Sequence, residues 1–582
     1  MRKLPFLLLV LLFACKTQKT DTPKDLFVLF DDPVKSPSYY SQKQGVFAKN
    51  GMVASAHKIA SEVGVEIMKQ GGNAVDASVG VFFALAVVHP SAGNLGGGGF
   101  AVVRNGQTYH TLDFREKAPL KGHRDMYLDE KGDVIQGLSL LGHLACGVPG
   151  AVDGMVALHD SLGSISWEKC LAPAVKLASK GVILTAGEAR GINGSKEKFL
   201  SVNGPDLKYY VKPEGEWQEG ELMVQTDLGA TLQRIKTLKR AGFYSGKTAE
   251  LLVKDIQEGG GIITLEDLEN YHSVWRKPLI SYYRNHKIIG MPPSSSGGTA
   301  MAQLLGFMEP HPISEWGWNS EKTSQVIIEA ERRVYADRAK WLGDTDFVKV
   351  PLSELIDENY LAKRWSNFSW DRANLSSEIE GGLVPGYESD ETTHFSVVDK
   401  SGMAVSITTT LNGGFGSKVI IDGAGFLMNN EMDDFSIKAG VPNMFGLVGN
   451  KANEIQPGKR MLSSMTPTIV EKNGELYMVA GTPGGSTIIT ATFQTISNVI
   501  DHGMSMQGAV NALKFHHQWL PDKIYYEKGA FEPATLDALL KKGFQMQEQR
   551  SSLGRMDCIL VYPDGRLEGA SDPRSENTSV GY

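Results

Sequence analysis

The stretch Gly386-Tyr-Glu-Ser-Asp-Glu391-Thr392-Thr393-His394-Phe-Ser-Val-Val-Asp399 changes character at its middle. Up to Glu391 it has the glycine, serine and acidic residues of a loop. From Thr392 it alternates like a strand rich in β-branched residues. Asp399-Lys400-Ser401-Gly402 is a turn, and Met403 to Leu411 is again strand-like. The spacing predicts a hairpin centred near residues 400–401, with Thr392 opposite Thr409 or Thr410. The two threonines at the seam have two readings. They are ordinary strand residues, or Thr392 is a nucleophile released when the chain is cut before it. A threonine hydroxyl attacks poorly without a base beside it. A free N-terminal amine, with a pKa of about 7.7–8.0, is such a base.

Working outward, the chain has 582 residues, enough for several domains or one large layered α/β unit. Hydrophobic residues make up 42% and charged residues 21%, the balance of a globular protein. The net charge of −7 argues against a nucleic-acid partner, which requires a basic face. Met52 to Gln70 has helical spacing and stops at Gly71-Gly72. Asn73 is placed to cap a second, wholly apolar helix from Ala74 to Val88. Residues 150–280 read as largely helical, and 322–342 as an amphipathic helix. Leu476 to Ala480 reads as a strand, Gly481-Thr-Pro-Gly484-Gly485 as a sharp turn, and Ser486 onward as a helix.

At the N-terminus, Met1-Arg2-Lys3 precedes an apolar run from Leu4 to Ala14. The run is far shorter than the ~20 residues of a membrane-spanning helix and reads as a secretory signal over residues 1–14. Leu12-Phe13-Ala14-Cys15 resembles a bacterial lipoprotein cleavage box, with Cys15 as the lipidated residue; the alternative is an ordinary signal with a chance cysteine. Residues 15–44 would then begin with a polar tether, and the product would be periplasmic or held at the outer membrane. Cys146, Cys170 and Cys558 form no CxxC pair and no disulfide framework. Ser245-Gly246-Lys247-Thr248 lacks the leading glycine of a phosphate-binding loop, since residue 241 is Ala241. No G-x-S-x-G elbow and no HExxH zinc motif occurs, and the sequence offers no metal site.

The segment Asp390-Glu391-Thr392-Thr393-His394-Phe-Ser-Val-Val-Asp399 resembles the processing site of the γ-glutamyltransferases (γ-glutamyltranspeptidases), members of the N-terminal nucleophile hydrolases. Other similar segments follow in family order. They include Ala92-Gly-Asn-Leu-Gly-Gly-Gly-Gly-Phe100, Asp113-Phe-Arg115-Glu-Lys-Ala-Pro119, Thr410-Leu-Asn412, Asn429-Asn-Glu431-Met-Asp-Asp434, Leu462-Ser463-Ser464 and Gly481-Thr-Pro-Gly484-Gly485. The resemblance runs from about residue 45 to the end.

The resemblance implies an α/β (α+β) fold, a four-layer αββα sandwich. It implies a large subunit over 45–391 and a small catalytic one over 392–582, made by self-cleavage between Glu391 and Thr392. Thr392 would attack a γ-glutamyl carbonyl, Thr410 would hydrogen-bond it, and the Gly484 and Gly485 N–H groups would stabilise the oxyanion. Arg115, with Ser463 and Ser464, would hold the donor's α-carboxylate, and Asn412, Glu431 and Asp434 its ammonium. Residues 438–459 resemble a lid loop, with Phe445 where many members carry a gating tyrosine. Implied substrates are glutathione, γ-glutamyl amides and acceptor amino acids, and no cofactor is called for. Two other readings are an acylase of glutaryl-type side chains and a lipid-anchored binding protein on an inactivated fold. A glutaryl group has no ammonium for Glu431 and Asp434, and intact Thr392, Arg115 and Gly484-Gly485 argue against inactivation.

Overall fold

In the computed structural model, which describes residues 41, 43–205, 207–379, 392–438, 440–444, 446–447, 449–549 and 551–582, the hairpin forms in the expected register. Strands Thr392–Asp399 and Ala404–Thr410 pair antiparallel, with Thr392 opposite Thr410. Asp399 fixes the turn. Its Oδ1 accepts from the Ser401 N–H at 2.8 Å and the Ser401 hydroxyl at 2.6 Å. Its Oδ2 accepts from the Ala74 N–H at 2.8 Å, tying the turn to the start of helix Ala74–Val88.

The hairpin lies at the centre of a seven-stranded antiparallel sheet. Its strands run in the order Thr578–Gly581, Gly51–Ser55, Thr392–Asp399, Ala404–Thr410, Gly98–Asn105, Thr108–Asp113 and Val274–Arg276. A second seven-stranded sheet contains Asp557–Val561, Glu475–Ala480, Thr468–Lys472 and His286–Gly290 at its centre. Side chains alternate across each sheet with a period of two. Phe395 and Val397 therefore pack on a helical layer that includes Ala74–Val88 and Ala151–Leu162, while Val398 packs between the sheets with Ile469 and Ile559. The outer face of the second sheet, with Val470, Met478 and Leu560, meets helices Gly297–Met308, Glu321–Trp341 and Thr487–Ile500. The result is a four-layer αββα sandwich with three apolar seams. Each fully buried Val, Leu, Ile or Phe side chain contributes on the order of 1.5–3 kcal/mol, so these seams are the main favourable term.

Helix Ala74–Val88 is buried at all 15 positions and is capped by Asn73, whose side chain accepts from the Val75 and Asp76 N–H groups. Two expectations are corrected. Met52 does not start a helix: Gly51–Ser55 is a fully buried strand between two partners, and the helix is Lys58–Lys69, capped by His57. A five-residue apolar run has no periodicity to separate strand from helix, so the tertiary pairing decides. Helix Glu321–Trp341 is not amphipathic but buried from Thr323 to Ala339. Several of its buried charges are paired, as with Arg333 Nη1 to Glu329 Oε2 at 2.6 Å within the helix and Asp337 Oδ1 to Arg364 Nη2 of a neighbouring helix at 3.0 Å.

Both sheets mix strands from before and after residue 391. A cut before Thr392 would therefore leave two chains that still share both sheets.

Candidate active site

Thr392 opens its strand at the end of the sandwich and is buried. Its Oγ1 lies 3.3 Å from Thr410 Oγ1, the cross-strand partner. Thr410 Oγ1 also accepts from the Asn412 N–H at 2.7 Å. Asn412 sits at φ 74°, a conformation asparagine tolerates, and its Nδ2 donates to Asn430 O at 3.0 Å. The bend after the strand thus returns the chain to the nucleophile.

Arg115 is fully buried beside this pair. Its Nη1 bonds Glu431 Oε1 and lies 3.4 Å from Glu116 Oε2, its Nη2 bonds Asp434 Oδ2, and its Nε donates to Met461 O at 3.3 Å. Burial pulls the guanidinium pKa down, but Glu431, Glu116 and Asp434 more than offset this and hold it above the usual arginine value. Burial pushes the Glu431 carboxyl well up against the opposing pull of Arg115, and raises Glu116 to about 7. Glu431 Oε2 and Glu116 Oε1 are buried without a hydrogen-bond partner among the described residues. Ser464 Oγ accepts from Arg338 Nη2 at 3.1 Å, so its proton is available to an incoming anion. Ser463 Oγ accepts from the Met465 N–H at 3.1 Å.

The turn Gly481–Gly485 leads into helix Thr487–Ile500. Gly484 adopts φ 138° and Gly485 φ 53°, both in the left-handed region. A Cβ on Gly484 would lie 2.6 Å from Thr487 Oγ1, which itself donates to Gly484 O at 2.7 Å. The turn therefore needs glycine, and it brings Gly485 to the pocket at the positive end of a helix. A cavity of about 260 Å³ unites Thr392, Thr410, Arg115, Asn412, Glu431 and Asp434 with Ser463, Ser464 and Gly485.

The family described as gamma-glutamyltranspeptidase matches residues 60–582. The chain belongs to the γ-glutamyltranspeptidase family. It is 45% identical over 558 residues to a glutathione hydrolase proenzyme of Escherichia coli (strain K12), covering 94% of this chain and 96% of that relative. Among solved structures, cephalosporin acylase from Bacillus halodurans superposes with a TM-score of 0.82 at 25% identity, covering 94% of this chain and 99% of that one. The γ-glutamyltranspeptidase of Helicobacter pylori gives 0.55 at 43% identity over 60% of this chain and 97% of that one.

Three expected γ-glutamyltranspeptidase features, Glu391, Phe445 and Cys15, lie outside the described residues. The segment expected to be a lid does meet the pocket. Leu447 lines it, Asn443 Nδ2 donates to Asp434 Oδ1 at 3.0 Å, and the Met444 N–H donates to Asp433 Oδ2 at 2.7 Å. Burial raises Asp433 to about 6. Sequence reasoning missed Glu116 and Arg338. Glu116 adjoins Arg115 in the same motif and could have been found there. Arg338 comes from helix Glu321–Trp341, where the sequence gives no sign of contact with Ser464.

Proposed function

We propose that this chain is a self-cleaving γ-glutamyltransferase and glutathione hydrolase. The observation that carries the reading is the small cavity in which Thr392 meets Arg115, the carboxylates of Glu431 and Asp434, and Gly485 of the Gly481–Gly485 turn. Maturation begins when Thr392 Oγ1 attacks the Glu391 carbonyl. The acyl group passes from nitrogen to oxygen, the Glu391–Thr392 peptide bond breaks, and water hydrolyses the ester. The freed Thr392 amine is then the base. In turnover it takes the Thr392 hydroxyl proton as Oγ1 attacks the γ-carbonyl. It returns a proton to the leaving amine, and a γ-glutamyl ester remains. Thr410 donates to the nucleophile oxygen, and the Gly484 and Gly485 N–H groups receive the oxyanion.

The donor headgroup is a zwitterion. Its carboxylate pairs with Arg115 and the hydroxyls of Ser463 and Ser464. Its ammonium takes the carboxylate oxygens of Glu431 and Asp434 with the Asn412 side chain. In the free site these opposite charges hold one another, so donor binding exchanges internal ion pairs for external ones. The likeness to a cephalosporin acylase supports an acylase reading of the fold, but three buried carboxylates around one guanidinium suit an ammonium and disfavour an anionic glutaryl chain. The apolar run and cysteine of residues 1–15 support export with a lipid on Cys15, and with it a periplasmic or outer-membrane location. Residues 438–459, with Phe445, act as its lid.

Intact-mass measurement of wild type and Thr392→Ala, with γ-glutamyl-p-nitroanilide turnover on the same samples, tests the reading. Two fragments meeting between Glu391 and Thr392, active, beside an uncut inactive variant, are expected. A single uncut and inactive wild-type chain would overturn it. Labelled palmitate retained by wild type and lost in Cys15→Ser tests the anchor.

A further inference from the structure

Six arginines are buried among the described residues. Arg104, Arg115, Arg332, Arg333 and Arg460 each pair with at least one carboxylate. Arg338 is the exception. Its Nε donates to Ser296 Oγ at 3.0 Å and its Nη2 to Ser464 Oγ at 3.1 Å, and no carboxylate of the described residues reaches ion-pair distance. Asp337, its neighbour in the chain, is turned to Gln303 Nε2 and Arg364 Nη2, both at 3.0 Å. Burial pulls the Arg338 guanidinium down to about 10, with Arg115 adding to the pull and Tyr335 and Asp434 opposing it, so it is still a cation at neutral pH. A buried cation with no anion beside it is destabilising, as are the unpartnered oxygens of Glu431 and Glu116.

What Arg338 does hold is a wall of the donor pocket. A guanidinium has no acceptor, so both serine oxygens accept from it and their protons point elsewhere. The Ser296 proton goes to Ser463 O at 2.7 Å, and the Ser296 N–H reaches the same carbonyl at 2.8 Å. The Ser463 N–H in turn donates to Ser294 O at 3.0 Å. The Ser464 proton has no partner among the described residues, and Ser464 lines the pocket. Arg338 stands behind Ser464 and meets a ligand through that hydroxyl. One turn earlier on the same helix, Glu321–Trp341, Tyr335 Oη donates to Ser486 O, beside Gly485. One helix face thus fixes two walls of the pocket. Arg115, the other cation there, already faces Glu431, Glu116 and Asp434. The positive charge left for an incoming carboxylate is that of Arg338.

We propose that Arg338 is a positioning and specificity-determining residue: it aims the Ser464 hydroxyl at the donor's α-carboxylate, pins Ser463 beside it through Ser296, and by its unmatched charge makes the pocket prefer donors that carry that carboxylate. The inference rests on the γ-glutamyltransferase reading and deepens it. The carboxylate then meets two cations, Arg115 directly and Arg338 across a hydroxyl, and only the second has no carboxylate of its own.

The test uses the processed enzyme with γ-glutamyl-p-nitroanilide as donor, and L-glutamate and 4-aminobutyrate as competing ligands. The second is glutamate without its α-carboxylate. Wild type should bind L-glutamate the more tightly, read as inhibition constants. Arg338→Gln should raise the donor KM and the L-glutamate constant roughly tenfold or more, the worth of a charge-assisted hydrogen bond. The 4-aminobutyrate constant should be unchanged, and kcat should change far less. Arg338→Lys keeps the charge without the fork and should recover part of the preference. A general disturbance of the pocket would weaken both ligands alike, so equal shifts overturn the inference, as does an unaltered preference for L-glutamate. Where Arg338→Gln yields no processed enzyme, Arg338→Lys decides by the same comparison: it should weaken L-glutamate alone, and an equal or absent shift overturns the inference. A wild type that releases p-nitroaniline but binds the two ligands equally overturns it as well. A wild type that releases none overturns the underlying reading and this inference with it.

Discussion

Arg333 and Arg115 are both fully buried, yet their surroundings are opposite. All five N–H groups of Arg333 are matched: two to Glu329 O and Oε2, one to Arg364 O, and one each to Asn367 Oδ1 and Asn374 Oδ1. Arg333 meets a single carboxylate, which Arg332 Nε also approaches at 3.5 Å. Arg115 instead faces three carboxylates, two of which keep an unpartnered buried oxygen. Each such oxygen costs about 1–3 kcal/mol, a penalty a purely structural site would not retain. The surplus is negative and concave, so it is complementary to a ligand's ammonium. Satisfied polar burial holds the fold, and unsatisfied polar burial prepares a site.

Paired substitutions give the sharpest test of that contrast. Arg115→Gln should lower kcat/KM for γ-glutamyl-p-nitroanilide by roughly 10²–10³-fold, the effect of truncating a buried ion-pair partner. Arg333→Gln should leave kcat/KM per correctly folded molecule near wild type. Equal losses in the two variants would break the comparison.

Stability should show the reverse ranking. Arg333→Gln removes the guanidinium from Glu329 Oε2 and leaves that carboxylate only Arg332 Nε at 3.5 Å and the Asn374 N–H at 3.0 Å, both on Oε1, a cost of about 3 kcal/mol read as a lowered unfolding midpoint. Arg115→Gln should cost less below neutral pH, because the carboxyls there already lean toward the neutral form. Glu116 has a folded pKa of about 7, above its ordinary 4.5. The native state therefore binds more protons between those values, and the contribution of Glu116 to stability falls as pH rises from about 4.5 to 7 and is level above. Removing Arg115 removes the main force opposing that shift, so the variant's decline should extend above pH 7. A melting series across pH 6–9 checks the sign.

The parts of this contrast that could be read in the sequence are the local ones. The hairpin register followed from a four-residue turn and two alternating strands to within one residue, Thr409 or Thr410 opposite Thr392, and the structure selects Thr410. Helix Ala74–Val88 was legible from its cap and its unbroken apolar run. Strand Gly51–Ser55 was not, because its identity comes from neighbours near residues 395 and 580. The pairing of Arg115 with Glu431 and Asp434 spans more than 300 residues, so no spacing rule reports it. The resemblance assigned those three residues to a donor's two charges but could not show that they hold each other in the free site. A larger cavity that also meets Thr392, lined by His89–Ser91, Phe415, Pro483 and 573–577, was invisible for the same reason, its walls being assembled from segments far apart in the chain.

A change at Glu431 isolates the surplus charge from the guanidinium. Glu431→Gln keeps the shape and an acceptor oxygen but removes one negative charge beside the donor ammonium. The donor KM should rise roughly tenfold to a hundredfold, with kcat changed far less, because the ammonium contact exists before and during the reaction. A fall in kcat with KM unchanged would place Glu431 at the chemical step and break its assignment to binding.

The smallest effect expected is a titration of the same surplus. An ammonium arriving beside Glu116 and Glu431 favours their ionised forms, so donor binding should expel a proton wherever one is still held. With Glu116 near 7, the donor KM should rise about twofold from pH 8 to 7 and about fivefold more to pH 6. The Thr392 amine acts on kcat instead, which should fall as that amine protonates below about pH 8. Separate profiles of KM and kcat divide the two groups, and calorimetry in buffers of different ionisation enthalpy counts the proton released. Applied to uncut Thr392→Ala, which lacks the free amine, the proton count should persist if it belongs to the carboxylates. Its disappearance there would assign the titration to Thr392 and leave the Arg115 cluster as closed as that around Arg333.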